Sequence, residues 1–289
     1  MHLRPPRLLG TALVACVPAL GLLLAFGPAA GASTASPAGA TPSARAASEA
    51  RTALEHLAIG EHGADHRVSA RESRVKGLTQ VESDNWSGYA DTGSGFSTVT
   101  GSWTEPTATC SGRTTSLAAF WVGIDGYSSD SVEQDGTLIE CYAGTAYYYT
   151  WWEMYPTNDI QVVGETLRAG DSISASVVRS GTSYTLKVTD STHTANSFST
   201  TQSCSSCANS SAEWIAEAPS SSSGVEPLSH FSTFSLSGAT VKEGSTSGVI
   251  SSFTDDEITM VDSSGHVEAQ PSALNSSGNG FSVTWERST

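Results

Sequence analysis

The segment AEWIAE (212–217) sets two carboxylates, Glu213 and Glu217, around a Trp and an Ile. Only 15% of the chain is charged, so two acids in an apolar, strand-like run need a reason. A carboxylate removed from water is costly unless it is paired or put to use. Upstream, YTWWEMYP (149–156) sets a third acid, Glu153, among aromatics, and SVEQDGT (131–137) offers a neutral amide, Gln134. Carboxylates on an aromatic wall suit two chemistries. In one, Trp and Tyr stack on sugar rings and two acids bind or cleave a glycan. In the other, a single carboxylate activates water against a peptide bond while a neutral amide steadies the oxyanion. Composition and alternation leave both open.

Other chemistries find less support. Beyond residue 81 the histidines are His193, His230 and His266, too scattered for a zinc set, and no second C-x-x-C accompanies Cys204 and Cys207. No metal and no cofactor is expected. The nucleophile elbow G-x-S-x-G is missing. Asp91-Thr92-Gly93 matches the aspartic-peptidase tripeptide, but that chemistry needs two carboxylates sharing a proton, and no second copy occurs. It reads as a turn.

The elements that must position these groups are strands. Short alternating runs such as SISASVVRS (172–180), SYTLKVTD (183–190), FSTFSLSG (231–238) and FSVTWERS (281–288) are separated by Gly, Asn and Ser. Gly170-Asp171, Ser180-Gly181 and Ser277-Gly278-Asn279-Gly280 predict hairpin turns. An all-β, antiparallel sandwich or barrel follows. Alternation then assigns faces. Tyr147, Tyr149, Trp151, Glu153 and Tyr155 share one, with Tyr148, Trp152 and Met154 on the reverse. Trp121, Gly123 and Asp125 share a face, as do Glu213, Ile215 and Glu217, so three strands can present Trp and acid on one surface.

The chain around this domain divides by composition. Residues 1–32 read as a secretory signal, with Arg4 and Arg7 before an apolar run and Ala30-Gly31-Ala32 as a small-x-small cleavage site. Residues 33–80 carry six Arg and Lys with no Trp, Tyr, Phe or Cys, so they lack a core of their own and read as a removable prosegment. From 81 to 289, six Lys and Arg stand against 24 Asp and Glu, a net of −18. That balance argues against nucleic acid as a partner and suits acidic surroundings. A secreted monomer with no membrane span is the expectation. In an oxidising compartment Cys110, Cys141, Cys204 and Cys207 should form two disulfides; 110–141 with 204–207 is favoured among three possible pairings.

Taken in order, NWSGY (85–89), FWVGIDG (120–126), the Gln of SVEQDGT, YTWWEMYP and AEWIAE resemble the glutamic peptidases, the eqolisins of peptidase family G1. The resemblance spans most of residues 83–260. It implies a concanavalin-like β-sandwich of two curved antiparallel sheets, with the cleft on a concave face. It also implies a secreted acid endopeptidase, made as a precursor, that cleaves protein or peptide substrates. By motif the catalytic pair is Gln134 and Glu217. Trp86, Trp121, Asp125, Trp151 and Glu153 fall in or beside the cleft, with Glu213 in support. Met154 stands where the family often has an aromatic residue, and the serine-rich stretch after Glu217 is a further departure. The basic prosegment would lie across the acidic cleft as an inhibitor. A secreted carbohydrate-binding or carbohydrate-cleaving sandwich is the alternative.

Overall fold

The computed structural model describes residues 48, 50, 51, 54, 57, 58, 79–112 and 114–288. The expected signal, 1–32, and most of the expected prosegment, 33–80, lie outside them. Nineteen strands are described. In chain order they are β1 (Leu57–Ala58), β2 (Thr79–Ser83), β3 (Trp86–Thr92), β4 (Phe96–Thr104), β5 (Ser116–Asp125), β6 (Val132–Tyr142) and β7 (Thr145–Tyr155). Next come β8 (Asn158–Gly164), β9 (Ser172–Ser180), β10 (Ser183–Asp190), β11 (Phe198–Ser203), β12 (Ser211–Glu217), β13 (Ser220–Ser221) and β14 (Gly224–Val225). The last are β15 (Phe234–Glu243), β16 (Thr246–Gly248), β17 (Asp255–Val261), β18 (Val267–Pro271) and β19 (Phe281–Trp285). Among the described residues no helix is long and apolar enough to cross a membrane.

Two layers pack face to face. One runs β11-β10-β9-β4-β15 and the other β3-β12-β5-β6-β7-β8. The expected two sheets are joined, because pairing continues through β19, β18 and β17 from one layer to the other. β15 makes the junction: residues 234–236 pair with β19 on one edge, and residues 236–243 pair with β4 on the other, with a register shift between Ser237 and Thr240. One strand departs from the antiparallel expectation. β2 runs parallel to β17, on the edge opposite β3, since both strands pair residues 256–258. Thr79 and Gln80 thus belong to the folded domain, two residues before the expected boundary.

Alternation decides what each layer buries. β9 and β10 alternate buried and open positions, as strands with one wet face do. Between the layers lie Phe120, Val122, Ile124, Trp214, Phe231 and Phe234, with Phe120 stacked on Phe234 at 4.7 Å between centroids. Every residue of β12 is buried, so its second face is covered too. That second face belongs to a separate apolar cluster holding Trp86, Trp121, Leu138, Tyr147, Tyr149, Trp151 and Ile215. The expected parity holds: Tyr148, Trp152 and Met154 go to the interlayer core, and Tyr147, Tyr149 and Trp151 to the second face. Cys110 bonds Cys141 and Cys204 bonds Cys207, the favoured pairing, so both sulfurs of the C-x-x-C are spent on a disulfide.

Candidate active site

Strand register lays the site out in rows across β12, β5, β6 and β7. The first row is Glu213, Gly123, Gln134 and Glu153; the second is Ile215, Trp121, Gly136 and Trp151; the third is Glu217, Ala119, Leu138 and Tyr149. Trp86 of β3 adjoins Glu217 in the third row. Period-two alternation puts these rows on one face. Large and small residues interleave because the backbone leaves no choice. A Cβ on Gly136 would fall 2.1 Å from the Phe120 carbonyl oxygen. One on Gly123 would fall 2.8 Å from Cζ3 of Trp121 and 3.2 Å from Cβ of Gln134. The bare Gly123 gives the indole a place to lie beside Gln134.

The indole links the rows. Its Cζ3 edge covers Gly123, and its Nε1 donates to Oε2 of Glu217 at 2.8 Å. Trp86 meets Trp121 edge-on, 5.0 Å between centroids and 77° between planes, which fixes the donor's direction. Asn85 donates from Nδ2 to the other Glu217 oxygen at 3.3 Å. Gln134 donates from Nε2 to Oε2 of Glu153 at 2.7 Å. Gln134, Glu217, Trp86, Trp121 and Trp151 all have zero relative exposure, and Glu153 has 1%.

The structure separates the two acids of AEWIAE. Glu217 receives two N–H donors, an environment that suits a carboxylate. Burial holds the Glu213 carboxyl well above the usual range, and the carboxylates of Asp125, Glu133 and Asp91 push it the same way. Only the Ser211 hydroxyl opposes this, and it lies outside bonding geometry. Burial thus makes Glu213 hold its proton well above the usual carboxylate range, which makes it a poor proton acceptor in acid.

Asp125 is a hydrogen-bond acceptor at the end of β5. Its backbone is left-handed, with φ of 70°. Its Oδ1 accepts from the Ser210 amide and hydroxyl, and Oδ2 from the Asn209 amide, at 2.7–3.0 Å, with Ser131 at 3.3 Å. It fastens the end of β5 to the start of β12, setting the level at which Glu213 and Glu217 stand.

Glu133 and Asp135, either side of Gln134, point the opposite way, between the layers. Burial raises Glu133 to about 9, with Asp125's carboxylate adding to it. Burial raises Asp135 well above its usual value, against backbone N–H groups of Lys187 and Ser176. The amide thus faces the site while burial makes both neighbours hold their protons above the usual carboxylate range.

The profile of the Peptidase A4 family matches residues 84–285. The chain belongs to this family. Its members include the eqolisins, or glutamic peptidases, so the sequence resemblance holds. Over 181 residues the chain is 33% identical to scytalidopepsin B of Scytalidium lignicola, covering 57% of this chain and 67% of that protein. Over 195 residues it is 26% identical to aspergillopepsin-2 of Aspergillus niger, covering 59% of this chain and 69% of that one. The fold resembles that of scytalido-glutamic peptidase crystallised with a peptide-based transition state analog, with TM-score 0.59 and 25% identity over 70% of this chain and 98% of the other.

Several residues around these rows carried little signal in the sequence. Asn85 was visible in NWSGY, yet nothing in its type marks it as a partner of Glu217. Glu140, raised by burial to about 7, accepts from the Tyr149 hydroxyl at 3.2 Å at the far end of the same face. Tyr127 donates to Asp256 at 2.6 Å, tying the loop after β5 to β17. Ala50 and Leu54, from the expected prosegment, are buried in the site's own apolar cluster. No period or motif in 33–80 singles them out.

Proposed function

We propose that this Peptidase A4 member is a secreted acid endopeptidase in which Glu217 activates water and Gln134 steadies the oxyanion. Glu217, ionised at rest, takes a proton from the attacking water and passes it to the departing amine. Gln134 has two N–H donors and a carbonyl acceptor; with one donor engaged by Glu153, the amide is held in one orientation towards the scissile carbonyl. An amide does not titrate in acid, so this donor survives where a protonated base would not. The observation that carries the reading is the Trp121 indole, which holds the Glu217 carboxylate at one end and lies against Gln134's neighbour Gly123 at the other.

The same reading gives the upstream segment a task. Helical residues Ala50 and Leu54 occupy the aromatic cluster, and Arg51 pairs with Glu165 at the end of β8. A precursor closed in this way would be inactive until the segment leaves. The Arg51 pair is about half exposed and adds little by itself. The test is digestion of an unfolded protein across pH, with pepstatin present. Endoproteolysis in acid that pepstatin leaves intact supports the reading; binding of glycans without any peptide cleavage overturns it.

A further inference from the structure

The hairpin that follows Glu217 stands outside the sixteen-stranded ladder. β13 pairs on one edge with β14, through Ser220↔Val225 and Ser221↔Gly224. On its other edge it pairs antiparallel with β1, through Leu57↔Ser221 and Ala58↔Ser220. These three short strands form a sheet of their own. The hairpin is tied down at its base, where the Ala218 amide donates to the Asn85 carbonyl and the Glu226 amide to the Pro219 carbonyl, each at 2.9 Å. A two-stranded ribbon is marginal alone, and its open edge is a template for a third chain. In this protein a peptide main chain already lies on that edge.

The position and direction of the edge bear on chemistry. Ser220 comes three residues after Glu217, and Asn85 ties the approach to the hairpin to the acid, since its carbonyl anchors Ala218 while its amide reaches Glu217. β1 is antiparallel to β13. A chain laid in the same direction therefore passes from the residue opposite Ser221 to the one opposite Ser220 and on towards Glu217. At about 3.3 Å per residue, the bond nearest Glu217 lies roughly two to four residues beyond the paired ones, on their carboxyl side. Just before the paired residues, Leu54 is buried to 1% in the cluster of Tyr147, Tyr149 and Trp151. An apolar side chain is thus accepted on the amino side of the reacting position.

We propose that the Ser220–Ser221 edge is the strand to which a substrate's main chain adds, through residues on the amino side of the bond to be cut, and that the floor under Leu54 takes an apolar side chain from that half. The proposal rests on the peptidase reading above. Main-chain pairing supplies affinity with little sequence demand, and the pocket supplies selectivity. It also makes the upstream segment a direct competitor, because it holds the edge and the floor at once.

The test uses the full chain carrying Glu217→Gln, so that a bound peptide persists, with and without Leu54→Asp to clear the floor. Leu54→Ser replaces Leu54→Asp if the acid prevents folding. The probes are blocked apolar octapeptides, N-methylated at one backbone nitrogen at a time, with binding read from tryptophan fluorescence. Cut sites are mapped separately with the unsubstituted protein. Clearing the floor should tighten binding at least tenfold. N-methylation at one or two positions, two to four residues before the cut, should weaken it at least tenfold, with an unaffected position between or beside them. Uniform tolerance of N-methylation overturns the proposal, as does sensitivity confined to the carboxyl side. If no peptide is cut yet N-methylation at one or two alternate positions still weakens binding at least tenfold, the edge stands as a peptide-binding strand and the peptidase reading falls.

Discussion

Neutralising the medium should unfold this domain, because it folds with protons on buried acids. Asp91 and Glu133 are raised to about 9, and Glu105 to about 8, by burial first of all. Their relative exposures are 0%, 0% and 2%. In the unfolded chain such groups titrate near 4. A folded pKa above the unfolded one means that folding takes up a proton, so the stability is complete below about pH 4 and is lost as pH rises towards 8–9. Each group costs about 1.4 kcal/mol per pH unit inside that window. From pH 5 to 7 the three together remove on the order of 8 kcal/mol, comparable with the whole stability of a typical domain, about 5–15 kcal/mol. Asp190 works in the opposite sense: hydrogen bonds from Asn196, His193 and Thr192 hold it below its usual value, so its contribution fades in strong acid. Urea unfolding followed by tryptophan fluorescence at pH 3 to 8 measures the profile. Stability should peak near pH 4 and fall steadily above it, and Asp91→Asn should flatten the fall by about one proton. A profile that is level or rises from pH 4 to 7 refutes the reasoning.

Further consequences follow from single contacts. Trp121→Phe keeps a ring over Gly123 but deletes the donor to Glu217, a charge-assisted bond of about 1.5–3 kcal/mol, so kcat/KM should fall roughly 10- to 100-fold with the fold retained by circular dichroism. Gly123→Ala places a methyl 2.8 Å from the indole and should displace it, costing about 1–3 kcal/mol in thermal or urea stability and lowering kcat/KM as well. Removing the Cys110–Cys141 bridge, which spans 31 residues, should cost about 3–4 kcal/mol in the chain-entropy account. Removing Cys204–Cys207, which spans 3, should cost less than half of that, and equal losses in urea midpoints would contradict the loop-length argument.

The parts of the molecule set by local rules could be read from its residues. Alternation in YTWWEMYP, FWVGIDG and AEWIAE assigned the faces, because a strand offers each side chain just two directions. The disulfide pairing favoured among three, 110–141 with 204–207, is the one the structure holds. What alternation cannot convey is which strands become neighbours. The junction through β17, β18 and β19, and the parallel β2, depend on contacts distant in sequence. Asp125 shows the same limit. Nothing in FWVGIDG announces its bonds to Asn209 and Ser210, which come from a segment more than eighty residues away. The buried acids Glu105, Glu133 and Asp135 were also hidden, since an acid in a strand or just beyond its end reads as solvent-facing until a second layer covers it.

The most direct test of the account compares Gln134→Ala and Glu217→Gln with the unsubstituted protein, each purified and shown folded at acid pH, in cleaving one defined peptide. Both substitutions should lower kcat by at least a hundredfold, the scale of losing an oxyanion donor or the base, while Glu213→Gln retains measurable turnover. Undiminished kcat in either of the first two variants would contradict the central claim.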